Sequence, residues 1–162
     1  MAAVDYFLKI EGIDGESLDS KHKGEIDVTS FSWGVSQTGS AGGGGGAGAG
    51  RAQFTGFHFT SSTSKASPKL MLACATGEHI KKAELFCRKA GGDGRAGAEF
   101  IKLTFEDVLV SSYNQSGSGD VPADSVSLNF ARIMFEVHPL NPDGSLGAPV
   151  RAGWDLRTNR AI

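Results

Sequence analysis

The chain has 162 residues, of which 40% are hydrophobic, and this is enough for a single domain with a buried core over 1–162. Lys and Arg together number 16 and Asp and Glu number 18, so the formal net charge is -2. A field this weak does not gather nucleic acid phosphates or anionic lipids, so we expect no nucleic-acid partner and no membrane insertion.

The N-terminal segment predicts a first strand. Large residues alternate over 5–10, and this period of two is typical of a strand whose faces meet different environments. No basic region followed by an apolar run precedes this strand, so we expect no cleaved secretory signal. The chain also contains no apolar run long enough to span a bilayer.

A second strand is predicted over Ile26–Gln37, after a turn-rich stretch at 12–24. One face of this strand is apolar and contains Phe31, Trp33 and Val35. The other face is small and polar and contains Ser30, Ser32, Gly34 and Ser36. Since one alternating set of side chains fills a small barrel, the polar set is expected to face either water or a partner.

Much of the chain's glycine lies in the segment 39–51, which we interpret as an extended loop. Gly43, Gly45 and Gly48 satisfy the letters GxGxxG, but a dinucleotide fingerprint opens a helix and here a strand follows. The match is therefore attributed to chance. The simplest interpretation of the segment is a disordered linker, because glycine costs backbone entropy to fix and offers no side chain to pack.

The remaining elements are mostly strands. We predict them at Phe54–Thr60, Lys81–Lys89, Glu99–Tyr113, Val126–His138 and within Val150–Arg157. One segment breaks the period of two: Ser67 and Pro68 suit a helix start and Gly77 a helix stop, which predicts one short helix. Many strands with one helix indicate a mainly β protein built as a closed or nearly closed antiparallel barrel.

Residue types that could support chemistry are scattered. The histidines lack a second ligand at metal spacing, and the cysteines do not form a CxxC pair: His22, His58, His79, His138, Cys74 and Cys87. No serine has the flanking glycines of a nucleophile elbow. Glu106 and Asp107 are expected on opposite faces of one strand, where they could not act together. We expect no catalytic site, no metal and no cofactor.

Short sequence motifs along the whole chain resemble those of a known protein family. They include DYFLKI at 5–10, SWGVSQ at 32–37, SPKLMLAC at 67–74, RKAGG at 88–92, LNFA at 128–131 and GWD at 153–155. In this order they resemble the Hcp family, the haemolysin-coregulated proteins that build the inner tube of bacterial type VI secretion systems. No single phrase would decide the matter, but together they span nearly the whole sequence.

The resemblance implies a fold and an assembly. It implies a tight β-barrel with one short α-helix packed at its side, a homo-hexameric ring, and rings that stack into a tube. Such a tube polymerises in the cytoplasm behind a spike protein and inside a contractile sheath, and is then expelled with its effectors.

The resemblance also implies roles for particular residues. The position matching Ser32 faces effectors in the lumen, and Ser30 shares its face. The glycine loop is implied to contact a neighbouring ring or subunit through Gly42, Gly43, Gly44, Gly45 and Gly46.

Other interpretations stay open at this point. Ser32 could lie on an outer face that only meets solvent, since alternation does not say what a face meets. The chain could be a monomeric β-barrel that binds a small ligand in an apolar cavity. It could form rings that do not stack. An enzyme fused to a tube module is disfavoured, because the module uses nearly all residues up to Ile162.

Overall fold

The computed structural model describes residues 4–38, 50–90 and 97–162. Within these residues the strands are β1 Val4–Ile10, β2 Ile26–Val28, β3 Ser30–Ser32, β4 Val35–Gln37, β5 Ala52–Phe54, β6 Phe57–Ser62, β7 His79–Lys89, β8 Ala98–Ser116, β9 Ala123–Val137, β10 Val150–Asp155 and β11 Arg160–Ala161. The helix α1 covers Ala66–Thr76. All pairings between the described strands are antiparallel, and the mainly β prediction is confirmed.

The strands form a nearly closed barrel. Hydrogen-bonded neighbours follow the order β6, β9, β8, β7, β1 and β2. One residue after β2, the chain enters β3, which pairs with β6, and the Thr29 amide already donates to the Thr60 carbonyl. Among the described strands β2 is hydrogen-bonded only to β1. The barrel is therefore completed between β2 and β3 by the covalent link at Thr29 and not by hydrogen bonds between the two strands.

The predicted strand over Ile26–Gln37 is wrong as a single element. It is three short strands with three different partners, because β2 pairs with β1, β3 with β6, and β4 with β5 in a separate two-stranded sheet. The predicted apolar face is not uniformly buried either: Phe31 is half-buried, whereas Val35 is 55% exposed. Alternation reports which side chains share a face, but it does not report where a strand changes partner.

The later predicted strands are present with shifted bounds. Phe54 belongs to β5, and β6 begins only at Phe57. Strand β9 has two different partners along one of its edges. Its first half pairs with β6 and its second half with β10, while β8 runs along its whole other edge.

Aromatic side chains fill the barrel. Phe57, Phe59 and Phe105 are at most 1% exposed. The ring of Phe105 lies 4.9 Å from those of Phe57 and Phe130, measured between centroids. Burial of each such side chain contributes about 1.5–3 kcal/mol, so this cluster is a principal source of the barrel's stability.

The predicted helix is present and ends as expected. Gly77 adopts a left-handed φ of 67°, and its N–H and that of Glu78 donate to carbonyls of the last turn. Glycine reaches this conformation without the Cβ penalty that other residues incur. The buried side of the helix faces the barrel next to β8 and includes Leu70 and Ala73.

The predicted helix start is wrong in one respect. The helix begins one residue before Ser67, whose side chain does not cap it but donates a hydrogen bond to the buried carboxylate of Asp124. Pro68 consequently occupies the third helical position, where a missing N–H still costs nothing because that group has no partner within the helix. The Ser67 hydroxyl, which the local sequence predicts as the N-cap, is therefore hydrogen-bonded to an acceptor far away in the sequence.

β8 contains a backbone irregularity at Asp107. This residue has a φ of 53°, and in both flanking ladders its register position is skipped. The carbonyl of Ala131, which would face it, accepts instead from the Leu156 N–H at 2.8 Å. The carboxylate of Asp107 bonds to Nδ1 of His79 at 2.9 Å. Asp tolerates the left-handed region better than most residues, which explains its presence here.

We expect Asp107→Val to lower the free energy of unfolding by about 1–3 kcal/mol, because a β-branched side chain is strained at positive φ. Asp107→Asn is the matched control, since it tolerates the same backbone conformation and should lose less than about 1 kcal/mol. Denaturant unfolding at one fixed protein concentration measures both variants. Equal losses in the two would refute backbone strain as the cause.

Candidate assembly surfaces

A continuous polar surface crosses four strands on the outside of the barrel. Residues opposite each other in paired antiparallel strands share a face, so the registers of β3, β6, β9 and β8 place one row of polar side chains beside another. This polar surface consists of Ser30, Ser32, His58, Thr60, Ser112, Asn114, Ser125 and Ser127. The alternate residues of the same strands, such as Phe57 and Leu128, point into the core.

The polar surface carries no carboxylate, ammonium or guanidinium group. Two pairs of its side chains are hydrogen-bonded to each other: Ser30 Oγ lies 2.5 Å from Thr60 Oγ1, and Nδ1 of His58 lies 2.5 Å from Ser127 Oγ. Ser32 and Ser30 are exposed. Such a surface is hydrated and offers weak, distributed polar contacts, and it lacks the converging groups that would fix one small ligand.

The sequence prediction identified Ser30 and Ser32 but missed the other six residues of the polar surface. The signal was present, because His58 and Thr60 alternate with the buried Phe57 and Phe59. Ser36, which the prediction placed on the same face as Ser32, lies instead on β4 opposite Gln53. The glycine positions 42–46 lie outside the described residues, so their predicted contact stays a prediction.

An apolar surface occupies the sheet that β9 forms with β10. It consists of Trp33, Phe135, Val137 and Val150; the last two are paired across the strands, and Phe135 follows on the same face. The ring of Trp33 meets that of Phe135 edge-on at 5.6 Å. Phe135 remains 37% exposed and Val150 67% exposed. Adjacent exposed apolar side chains on a strand surface are typical of a contact with another protein.

A buried carboxylate connects the helix to the barrel wall. Asp124 is 1% exposed and accepts hydrogen bonds from Thr63 Oγ1 and Tyr113 OH, each at 2.9 Å, and from Ser67 in the first turn of α1. Burial, with the hydrogen bond to Asp124, raises the pKa of the Tyr113 hydroxyl. One side chain thus joins β8, β9 and the helix start.

The charged groups beside β1 form ion pairs rather than a reactive centre. Arg88 donates to Asp19 Oδ1 at 3.0 Å and approaches Asp5 at 3.5 Å. The hydrogen bond from Arg88 lowers the pKa of Asp19 to about 2. These residues line an open cleft of about 510 Å³ that also contains Asp27. Carboxylates already held by a guanidinium are poor candidates for acid–base catalysis.

Glu106 and Asp107 do not lie on opposite faces as predicted. Both line one open cleft with Lys81 and Arg157, because the left-handed backbone at Asp107 breaks the alternation of β8. Each carboxylate is engaged separately, since Glu106 accepts from Arg132 at 3.2 Å and Asp107 contacts His79.

Neither cysteine is in a disulfide, and burial raises the pKa of Cys87 to about 11, which disfavours a reactive thiolate. Among residues 4–38, 50–90 and 97–162, no group of three or more His, Cys, Asp or Glu side chains is placed to hold a metal ion. In the same part of the chain, the helix lacks the length and apolar character needed to cross a bilayer.

Comparison with known proteins identifies the family. The family model described as "Type VI secretion system effector, Hcp" matches residues 7–137, which is most of the chain and includes nearly all of the polar and apolar surfaces. The chain belongs to the Hcp family. The recognition made from the sequence phrases is thereby confirmed.

Individual Hcp proteins are similar over nearly their full length. Protein hcp1 of Pseudomonas aeruginosa is 44% identical over 160 residues, covering 97% of this chain and 98% of that protein. The crystal structure of Hcp1 from Salmonella typhimurium is 36% identical, with a TM-score of 0.82, covering 99% of this chain and all of that one. A type six secretion system protein of 31% identity superposes with a TM-score of 0.88.

Proposed function

We propose that this Hcp chain is a tube subunit of a type VI secretion system. Six copies close into a ring, rings stack behind a spike protein and inside a contractile sheath, and the tube is expelled with effectors in its lumen. The subunit is made in the cytoplasm and is secreted through the type VI secretion system. It makes and breaks no covalent bond.

The main support for this proposal is the polar surface. The barrel interior is already filled by side chains such as Phe57 and Phe105, so a lumen has to lie between subunits and be lined by an outer face. The uncharged, hydroxyl-rich polar surface suits that position, because such a surface stays hydrated and would make only weak contacts with many different proteins. The filled interior also argues against a monomeric barrel with a ligand in an apolar cavity.

The apolar surface supports the contact between subunits. A ring of identical chains needs two different complementary patches on each subunit, since its contacts are heterologous. We assign one patch to Trp33, Phe135, Val137 and Val150, whose exposure leaves apolar area to be covered by the next copy. The glycine positions 42–46 are proposed to contact a neighbouring ring or subunit.

Ser32→Gln is expected to leave the rings intact and to lower the retention of an effector by about tenfold, equivalent to about 1.4 kcal/mol. The longer amide side chain would intrude on the hydrated surface that the effector meets. The measurement is co-purification of an effector co-expressed from the same secretion system, with rings counted by negative-stain electron microscopy. Absence of rings in the wild-type protein would refute the tube proposal.

Ser36→Gln is the matched control, because Ser36 is an exposed serine on β4 outside the polar surface. It should retain the effector as the wild-type protein does. If rings form and Ser32→Gln retains the effector equally well, Ser32 does not face the lumen.

A further inference from the structure

The open cleft where the start of β1 meets β2 and the end of β7 has an excess of negative charge. Its lining includes the carboxylates of Asp5, Asp19 and Asp27, with Arg88 as the one cation among its described lining residues. Arg88 is taken up by Asp19 and lies 3.5 Å from Asp5. Partial burial, and then the charges of Asp5 and Asp19, raise the pKa of Asp27. A cation beside this acidic cleft would therefore relieve repulsion.

An exposed apolar side chain lines the same acidic cleft. Leu18 is 91% exposed, although its loop is fixed to the barrel. The next residue, Asp19, is held by Arg88 of β7, and His22 is buried against the ring of Phe7. An apolar group in a fixed position with charged groups around it is typical of a contact with another protein.

A second open cleft, of about 420 Å³, lies near the other end of β7 and has an excess of positive charge. This cationic cleft is lined by Lys81, Lys82, Glu106, Asp107 and Arg157. Arg132, outside its lining, contacts Glu106 at 3.2 Å and offsets that carboxylate. Arg51 adds a further cation in an adjoining cleft, which shares Asp107 and Arg157. Lys81 is exposed at the centre of this positive region.

The two clefts are too far apart to neutralise each other within one chain. Lys81 and Arg88 are seven positions apart along β7, about 24 Å at the usual rise of about 3.4 Å per residue. Two copies in the same orientation can instead place the acidic cleft of one against the cationic cleft of the other. Such a contact is heterologous and leaves one free cleft at each end, so it can be repeated along a stack.

We propose that the acidic cleft of one copy docks onto the cationic cleft of a copy in the next ring, and that this charged contact joins the rings of the tube. The inference rests on the proposed function, which supplies the rings. The apolar surface is already assigned to the contact within a ring, which leaves the charged clefts for the contact between rings. Like charges repel, so the two clefts also fix the orientation in which each ring is added.

The salt dependence of ring association tests the charged contact. The Debye length falls from about 10 Å in 0.1 M salt to about 3 Å in 1 M salt, so association between wild-type rings should weaken by about tenfold or more. Sedimentation velocity measures it, with negative-stain electron microscopy to count rings and stacks. Rings that do not associate in low salt, or that associate equally in high salt, would overturn this inference alone. Absence of rings would refute the proposed function as well.

Two charge reversals locate the contact. Asp27→Lys and Lys81→Glu should each form normal rings that associate about tenfold or more weakly in low salt, because like charges then face each other. Asp14→Lys is the matched control, since Asp14 is an exposed carboxylate of the same loop outside the acidic cleft. It should associate as the wild-type protein does. Wild-type association in either reversal, or an equal loss in Asp14→Lys, would overturn the proposal.

Mixing the two kinds of reversed ring tests the pairing of the clefts. The unaltered cationic cleft of Asp27→Lys rings can dock onto the unaltered acidic cleft of Lys81→Glu rings, and the two altered clefts also bring Lys and Glu together. The mixture should therefore associate about tenfold or more strongly than either variant alone. Failure of the mixture to recover association would show that these clefts do not meet, and would overturn the proposal.

Discussion

Val150→Asp is expected to convert rings into single subunits. Val150 is 67% exposed on the apolar surface, and the proposed contact with the next copy would bury the new carboxylate without a partner. Such a charge costs about 3 kcal/mol or more at each contact, a loss of more than about a hundredfold in affinity. Sedimentation velocity at micromolar concentration measures the shift from hexamer to monomer.

Val121→Asp is the matched control for this experiment. Val121 is 65% exposed, close to the exposure of Val150, but it precedes β9 and lies outside the apolar surface. The control should assemble as the wild-type protein does. If Val150→Asp also remains hexameric, the apolar surface is not the contact between subunits.

Asp124→Ala is expected to lower the free energy of unfolding by about 3 kcal/mol or more. The carboxylate accepts hydrogen bonds from Thr63, Tyr113 and Ser67, and its removal leaves three hydroxyls to find other partners in a largely buried site. It also detaches the first turn of α1 from β9. Denaturant unfolding should be compared at equal protein concentration, because assembly adds to the apparent stability.

The exposed Asp120 provides the control for charge and composition. Among the described residues its carboxylate accepts a hydrogen bond only from the adjacent Val121 N–H, so Asp120→Ala should change the unfolding free energy by less than about 0.5 kcal/mol. Similar losses in the two variants would contradict the anchoring role assigned to Asp124. A loss confined to Asp124→Ala, with faster exchange of helix amides, is the expected result.

The sequence predicted the fold class because its dominant signals are local. Alternation over β6 and β9 reports buried and exposed faces directly, and Gly77 predicts the helix stop through its conformational freedom. The partner changes at Thr29 and after Ser32 could not be predicted, since hydrogen-bond partners are set by distant segments. The hydrogen bond from Ser67 to Asp124 could not be predicted for the same reason, since the two residues are 57 positions apart in the sequence.

The candidate surfaces were predicted only in part. Ser30 and Ser32 were found because they alternate with a large aromatic residue, whereas His58 and Ser127 required the register between β6 and β9. The sequence did not decide between a structural and a solvated position for His22, which is 4% exposed, because an isolated histidine in a turn-rich stretch gives no sign of its neighbours. The proposed assembly comes from the family resemblance, because no pattern within a single chain predicts a ring.

The division of β9 between two partners fixes a length within the subunit. Ser127 of the polar surface and Phe135 of the apolar surface lie on this one continuous strand, about 27 Å apart at the usual strand rise of about 3.4 Å per residue. Strand β8 pairs with β9 on both sides of the irregularity at Asp107, which limits how far β9 can stretch between the two positions. In the proposed ring, the wall of the bore and the contact between neighbours would therefore lie a fixed distance apart on one strand, and backbone geometry rather than the loops would set the diameter of the bore.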